Sequence, residues 1–214
     1  MRRLVPLLGL VCLLAACGGK SGGSNGGTKT DANGCVSVSA PSMHARTGSR
    51  PTEALDSTKT YDLVMNTNCG SFTIRLDPQQ SPHAVASIVK LVQAKYFDHT
   101  VFHRIVPGFV IQGGDPTGTG AGGPGYTTVD TPPSDARYTH GVVAMAKTGA
   151  EPAGTAGSQF FVVTGNDIGL TPDYAIIGKV TDGLDVVDRI GKLGDASEQP
   201  TEVVEIEQAT VTTS

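Results

Sequence analysis

The 214-residue chain has no tryptophan, and its other aromatics are few: six phenylalanines and five tyrosines. Apolar residues still make up 38% of it, enough to pack one domain with extensions. Basic residues do not cluster, and the net charge is −4, which excludes a nucleic-acid-binding surface. The histidines at 44, 83, 99, 103 and 140 do not read as a metal-ligand set, and no Ser/His/Asp set is suggested. His103, next to an arginine on a strand, should face away from it as a structural residue, and His99 and His140 fall in solvated turns. The glycine run 118–125 lacks a Lys-Ser/Thr ending and a following helix, so it is not a phosphate cradle. It reads as a close-packed loop where small residues let another chain approach. No internal repeat is present.

The N-terminus, "MRRLVPLLGLVCLLAAC", joins Arg2 and Arg3 to an apolar stretch from Leu4 to Ala16. That stretch is short for a bilayer span and fits a signal peptide over 1–16. Leu14-Ala15-Ala16-Cys17 resembles the bacterial lipobox, in which cleavage precedes a cysteine that takes lipid. The alternative is an ordinary secretory signal with a chance cysteine. The Gly/Ser-rich residues 17–34 read as a flexible tether with a reach of roughly 20–25 Å, and 35–59 as an irregular extension. The expected location is extracytoplasmic, lipid-anchored to a bacterial membrane through Cys17. Cys12 leaves with the signal, so Cys35 and Cys69 remain in a compartment that permits disulfides. We expect them to pair; two free thiols are the alternative.

The folded body occupies 60–212. "YDLVMNT" and "SFTIRL" alternate around a turn-like "NCG", which predicts a hairpin burying Tyr61, Leu63, Met65, Phe72, Ile74 and Leu76. Ser81-Pro82 reads as N-cap and first helical residue, with Val85, Ile88, Val89 and Val92 at helical spacing to about Ala94. Short strand-like runs follow at 101–106, 109–112, 142–146, 159–163, 174–180 and 203–211, with a second helix over 184–190. Many short strands and two helices predict a mainly β fold, a closed eight-stranded antiparallel barrel capped by two α-helices.

The stretch "VFHRIVPGFVIQ" places Arg104 and Gln112 among apolar residues, where a charge must be used or neutralised. Alternation puts Val110 with Gln112, and Gln159 with Phe161, while Phe160 and Val162 share the opposite face. One face can line a groove and the other fill a barrel.

Three blocks, "FHRIVPGFVIQGGDPTGTGAGGPGY", "GVVAMAKTGAEPAGTAGSQFFVVTG" and "LTPDYAIIGKV", resemble in order and spacing the cyclophilin peptidyl-prolyl cis-trans isomerases. The resemblance covers about Thr60 to Val211. It implies a non-covalent enzyme that needs no cofactor and no metal and acts on proline-containing segments of unfolded or exported proteins. Such a reaction meets a barrier of ~18–20 kcal/mol from amide resonance, and a donor aimed at the pyramidal prolyl nitrogen lowers it. The resemblance assigns that role to Arg104. It assigns Phe109, Val110, Phe161, Leu170 and Tyr174 to the proline pocket; plain core packing is the alternative for each. Gln112 would orient Arg104 and hold a substrate carbonyl oxygen, with Ala146, Lys147 and Gln159 as further peptide contacts. Here Lys147 stands where many members carry Asn, Val110 where many carry Met, and Tyr174 where many carry His. Gly169 replaces a Trp whose indole donates a hydrogen bond to cyclosporin, so reduced affinity for that drug is implied. The rival functions are a proline-peptide binding module with little turnover and a membrane-held scaffold. A monomer is expected.

Overall fold

The signal stretch, Cys17 and the tether as far as residue 29 lie outside the part of the chain described by the computed structural model, which covers residues 30–214. Within it, β1 (Tyr61–Thr67) and β2 (Gly70–Leu76) form the expected hairpin, in unbroken register from Tyr61↔Leu76 to Thr67↔Gly70. All six apolar residues predicted to face inward are buried.

Helix α1 (Pro82–Gln93) follows, and Val85, Ile88, Val89 and Val92 are buried on its inner face. Its N-terminus departs from expectation. Ser81 does stand at the N-cap, but its hydroxyl donates to the Ile176 carbonyl at 2.7 Å instead of accepting from the helix. One orphan donor is served from a distant loop: Asp130 accepts from the Ala84 N–H at 2.6 Å, and it also contacts His83 Nδ1 at 2.7 Å. A carboxylate there also complements the helix dipole.

The chain continues through β3 (Thr100–Val101), β4 (Arg104–Val106), β5 (Val110–Gly113) and β6 (Thr128–Val129). Next come β7 (Val142–Met145), β8 (Thr155–Ala156), β9 (Phe160–Val163) and β10 (Ile176–Asp182). Helix α2 (Leu184–Ile190) and β11 (Glu205–Thr213) complete it. Nine strands make one antiparallel sheet, in the order β3-β11-β1-β2-β10-β7-β9-β5-β4. The strands at its two ends, β3 and β4, are successive pieces of the single run 100–106. The sheet therefore curls round until its edges meet in one stretch of chain, and counted that way the strands number eight. Across the break, the Phe102 N–H still reaches the Val204 carbonyl at 3.0 Å. β6 and β8 form a separate two-stranded ribbon; at two residues each they are too short to show alternation in sequence.

The barrel interior is filled by Leu63, Met65, Phe72, Phe97, Phe102, Ile105, Ile111 and Phe160, closed by the apolar faces of α1 and α2. Phe160 meets Phe97 and Phe102 edge-on, each with ring centroids 6.0 Å apart.

Residues 30–60 are irregular, yet bound closely to the barrel. Cys35 and Cys69 are joined in a disulfide. Buried Asn68 beside it donates to the Val36 and Val203 carbonyls and accepts from the Glu205 N–H, at 2.8–2.9 Å. Residues 30–34, read in the sequence as the end of a tether, fold into a turn. Asp31 accepts from the N–H groups of Asn33 and Cys35, closing a turn that the disulfide holds against the hairpin. Further on, Arg46 donates to the Tyr96 and Asp98 carbonyls, both at 2.7 Å, and Gly48 N–H to the Pro124 carbonyl at 2.9 Å.

Candidate active site

Strand register builds the site. Arg104 on β4 faces Gln112 on β5, Gln112 faces Phe161 on β9, Phe161 faces Ala144 on β7, and Ala144 faces Ile176 on β10. Directly paired residues point to the same side of a sheet, so this row lies on one face. The residues between them, Ile105, Ile111, Phe160 and Val162, belong to the barrel core. Val110, Tyr138, Val142, Ala144, Phe161, Val163 and Ile176 form a second apolar cluster on the outside, with Phe109, Leu170 and Tyr174 packed against it.

A cleft of about 240 Å³ opens on this outer cluster, lined by Arg104, Phe109, Val110, Gln112, Ala146, Lys147, Phe161, Leu170 and Tyr174. Nine of the ten residues expected at the site thus meet around one opening. The tenth, Gln159, lines an adjoining cleft of about 620 Å³ that shares Gln112, Ala146 and Lys147 with the first. The larger cleft is bounded by the glycine run from Gly120 to Gly125, so that loop does border a groove.

The floor is aromatic. Phe161 meets Tyr174 edge-on at 5.5 Å, and Tyr138 packs against both rings, at 6.3 and 5.9 Å. The Tyr138 hydroxyl donates to the Tyr174 carbonyl at 2.8 Å and accepts from the Tyr174 N–H at 2.9 Å, which fixes that wall. Burial pushes the Tyr138 phenol up from its ordinary pKa. Lys147 holds its ammonium 5.5 Å from the Tyr174 ring centroid and donates to the Glu151 carbonyl at 3.1 Å. Gly169, next in the chain to Leu170, has φ +64 and open space where a side chain would project.

Arg104 stands at the mouth with a third of its side chain exposed. Its Nε donates to Glu198 at 2.6 Å and its Nη1 to the Gln112 amide oxygen at 3.2 Å. The chain of bonds goes on: Gln112 Nε2 donates to Gln159 Oε1 at 3.0 Å, and Gln159 Nε2 to the Gly120 and Gly122 carbonyls at 2.9 Å. The glycine loop is tied in turn to Asp115, whose carboxylate accepts from the N–H groups of Thr117, Thr119, Gly120 and Gly122. Burial disfavours the Asp115 charge, but these bonds outweigh it and hold the carboxyl below the usual carboxylate range. Any side chain at Gly122 would collide with that carboxylate.

His103 is half-buried with both ring nitrogens shielded from solvent, and among the described residues neither nitrogen has a partner. Burial pushes its pKa down; the charge of Arg104 adds to this and that of Asp115 opposes it. His99 and His140, expected in solvated turns, each contact a carboxylate, Glu205 at 2.8 Å and Asp188 at 2.6 Å. Sequence reasoning missed Tyr138, Asp115 and Glu198. Asp115 had a signal, an aspartate leading a run of Thr and Gly that offers it backbone N–H groups. Glu198 had none, being 94 residues from its partner.

What the fold and this opening define is a cyclophilin. The model of the family "Cyclophilin type peptidyl-prolyl cis-trans isomerase" matches residues 62–211, and the chain belongs to that family of isomerases. It is 37% identical over 157 residues to "Peptidyl-prolyl cis-trans isomerase-like 1" of Gibberella zeae, covering 71% of this chain and 95% of the relative. It is also 37% identical over 171 residues to "Probable peptidyl-prolyl cis-trans isomerase A" of Mycobacterium bovis, covering 71% and 92%. A Cryptosporidium parvum cyclophilin-type isomerase, solved in the presence of the dipeptide Ala-Pro, superposes with a TM-score of 0.65 at 32% identity. That likeness covers 71% of this chain and 98% of the Cryptosporidium chain.

Proposed function

We propose that the chain accelerates rotation about X–Pro bonds in exported, partly folded proteins, with Arg104 as its catalytic residue. The proline ring enters the cleft between Phe109, Val110, Phe161, Leu170 and Tyr174, and the peptide extends into the larger cleft past Ala146, Lys147 and Gln159. As the imide twists, resonance is lost and the prolyl nitrogen gains a lone pair. The guanidinium has five N–H groups. Glu198 and Gln112 take one each, leaving three to serve this nitrogen. A donor aimed at charge present only in the twisted state lowers the barrier without tightening the ground state. Gln112, held by Gln159, bonds Arg104 from the side of the cleft and holds the substrate carbonyl oxygen that swings.

The observation that carries this reading is the position of Arg104: a partly bonded guanidinium at the lip of an apolar cleft of the right chemistry for a five-membered ring. An extracytoplasmic setting is supported by the Cys35–Cys69 disulfide, and a lipid anchor by the Leu14-Ala15-Ala16-Cys17 motif. In a protease-coupled assay on an Ala-Pro peptide, Arg104→Ala should lower kcat/KM about 10²-fold while retaining peptide binding. Equal rates for the two proteins would reduce the cleft to a proline-peptide binding module.

A further inference from the structure

Arg104 reaches the cleft on a long side chain, and one neutral bond of 3.2 Å to Gln112 is a weak hold on it. The stronger hold comes from the other side. Glu198 accepts from Nε at 2.6 Å, an ionised pair joined at the one guanidinium nitrogen that lies inside the side chain. A bond there fixes the plane of the whole group and leaves its outer nitrogens toward the cleft.

Glu198 sits in a backbone conformation that resists it. Its φ is +64, the left-handed region, in which a β-carbon is strained and glycine is at ease. The loop that imposes this is built around Asp195, whose carboxylate accepts from the N–H groups of Ser197 and Gln199 and whose carbonyl accepts from Glu198 N–H. The loop then docks on β4 twice, through the Ile105 N–H to the Glu198 carbonyl at 3.0 Å and through the Glu198 side chain to Arg104. Strain held in place by its surroundings beside reacting groups points to function.

We infer that Glu198 is a positioning residue for isomerisation, aiming the Arg104 guanidinium at the prolyl nitrogen. The inference rests on the catalytic reading of Arg104. It predicts a separation that a structural residue would not give. Glu198→Gly relieves the backbone and removes the carboxylate, so Tm stays level or rises while kcat falls roughly 10-fold and KM moves less than about two-fold. Glu198→Gln keeps an acceptor for Nε and stays within about three-fold of wild type. Combined with Arg104→Ala, Glu198→Gly has no further effect, since the group it aims is gone. Unchanged kcat in Glu198→Gly, beside a crippled Arg104→Ala, overturns the inference and leaves the role of Arg104 standing. A loss of rate that tracks a fall in Tm overturns it equally. A fully active Arg104→Ala overturns both.

Discussion

Phe160 and Phe161 are neighbours on β9, 1% and 4% exposed, and burial alone does not tell them apart. Their faces do. Phe160 is wedged between Phe97 and Phe102 in the barrel core, whereas Phe161 backs the small cleft against Tyr138 and Tyr174. Phe160→Ala leaves a cavity among aromatic rings, for which a loss of about 3–5 kcal/mol applies. At roughly 2–4 °C per kcal/mol for a domain of this size, Tm should drop by about 10 °C. Activity per folded molecule should survive, because no cleft atom is removed. Phe161→Ala takes away the floor on which the proline ring would rest. The apolar contact forfeited is about 1.5–3 kcal/mol, or roughly 10- to 100-fold in kcat/KM. Its stability loss should be the smaller of the two, since the cavity opens to solvent. Thermal melts and the protease-coupled assay, normalised to folded protein, measure both. Equal kcat/KM losses in the two variants, or full activity in Phe161→Ala, would refute the assignment of faces.

Breaking the Cys35–Cys69 link by Cys69→Ser should destabilise the fold by about 4 kcal/mol through the freed 34-residue loop, seen as a lower denaturant midpoint. Non-reducing mass spectrometry of wild type should recover the linked peptides. His103 supplies a pH dependence of known sign. Burial holds its folded-state pKa below the ordinary 6.5, so the unfolded chain binds the proton more readily. Stability is then intact above about pH 6.5 and declines below it, by at most about 1.4 kcal/mol per pH unit; His103→Phe should flatten that slope between pH 7 and 5 in denaturant titrations. Cys17→Ala should move the protein from membrane to soluble fractions, and retention on membranes would remove the lipid anchor from the picture.

Much of the fold was legible because local patterns and tertiary demands agree. Period two in "YDLVMNT" and "SFTIRL" and helical spacing in 82–93 each matched the face the barrel buries. The same alternation separates Phe160 from Phe161 in the sequence itself. What stayed hidden depends on groups far apart in the chain. Ser81 has the right chemistry for a cap, yet Asp130 from a distant loop takes the Ala84 N–H and the Ser81 hydroxyl bonds the Ile176 carbonyl instead. Glu198 lies in "DASEQP", a polar turn like many others, and only the docking of that turn on β4 gives its carboxylate a purpose. Tyr138 carries no periodic signal either, since it comes from a loop and meets Tyr174 across a cluster that exists only once the sheet has curled.

The family match starts at residue 62, but the lining of the larger cleft reaches back to residue 50. Arg50, carried on the segment that Arg46 and Gly48 fasten down, lies with its guanidinium carbon 5.5 Å from the Tyr126 ring centroid and forms part of the larger cleft's rim. A protein trimmed to the homologous region would keep the small cleft and forfeit one bank of the larger one beside it. An assay on a long unfolded polypeptide should register that loss more than one on a short peptide.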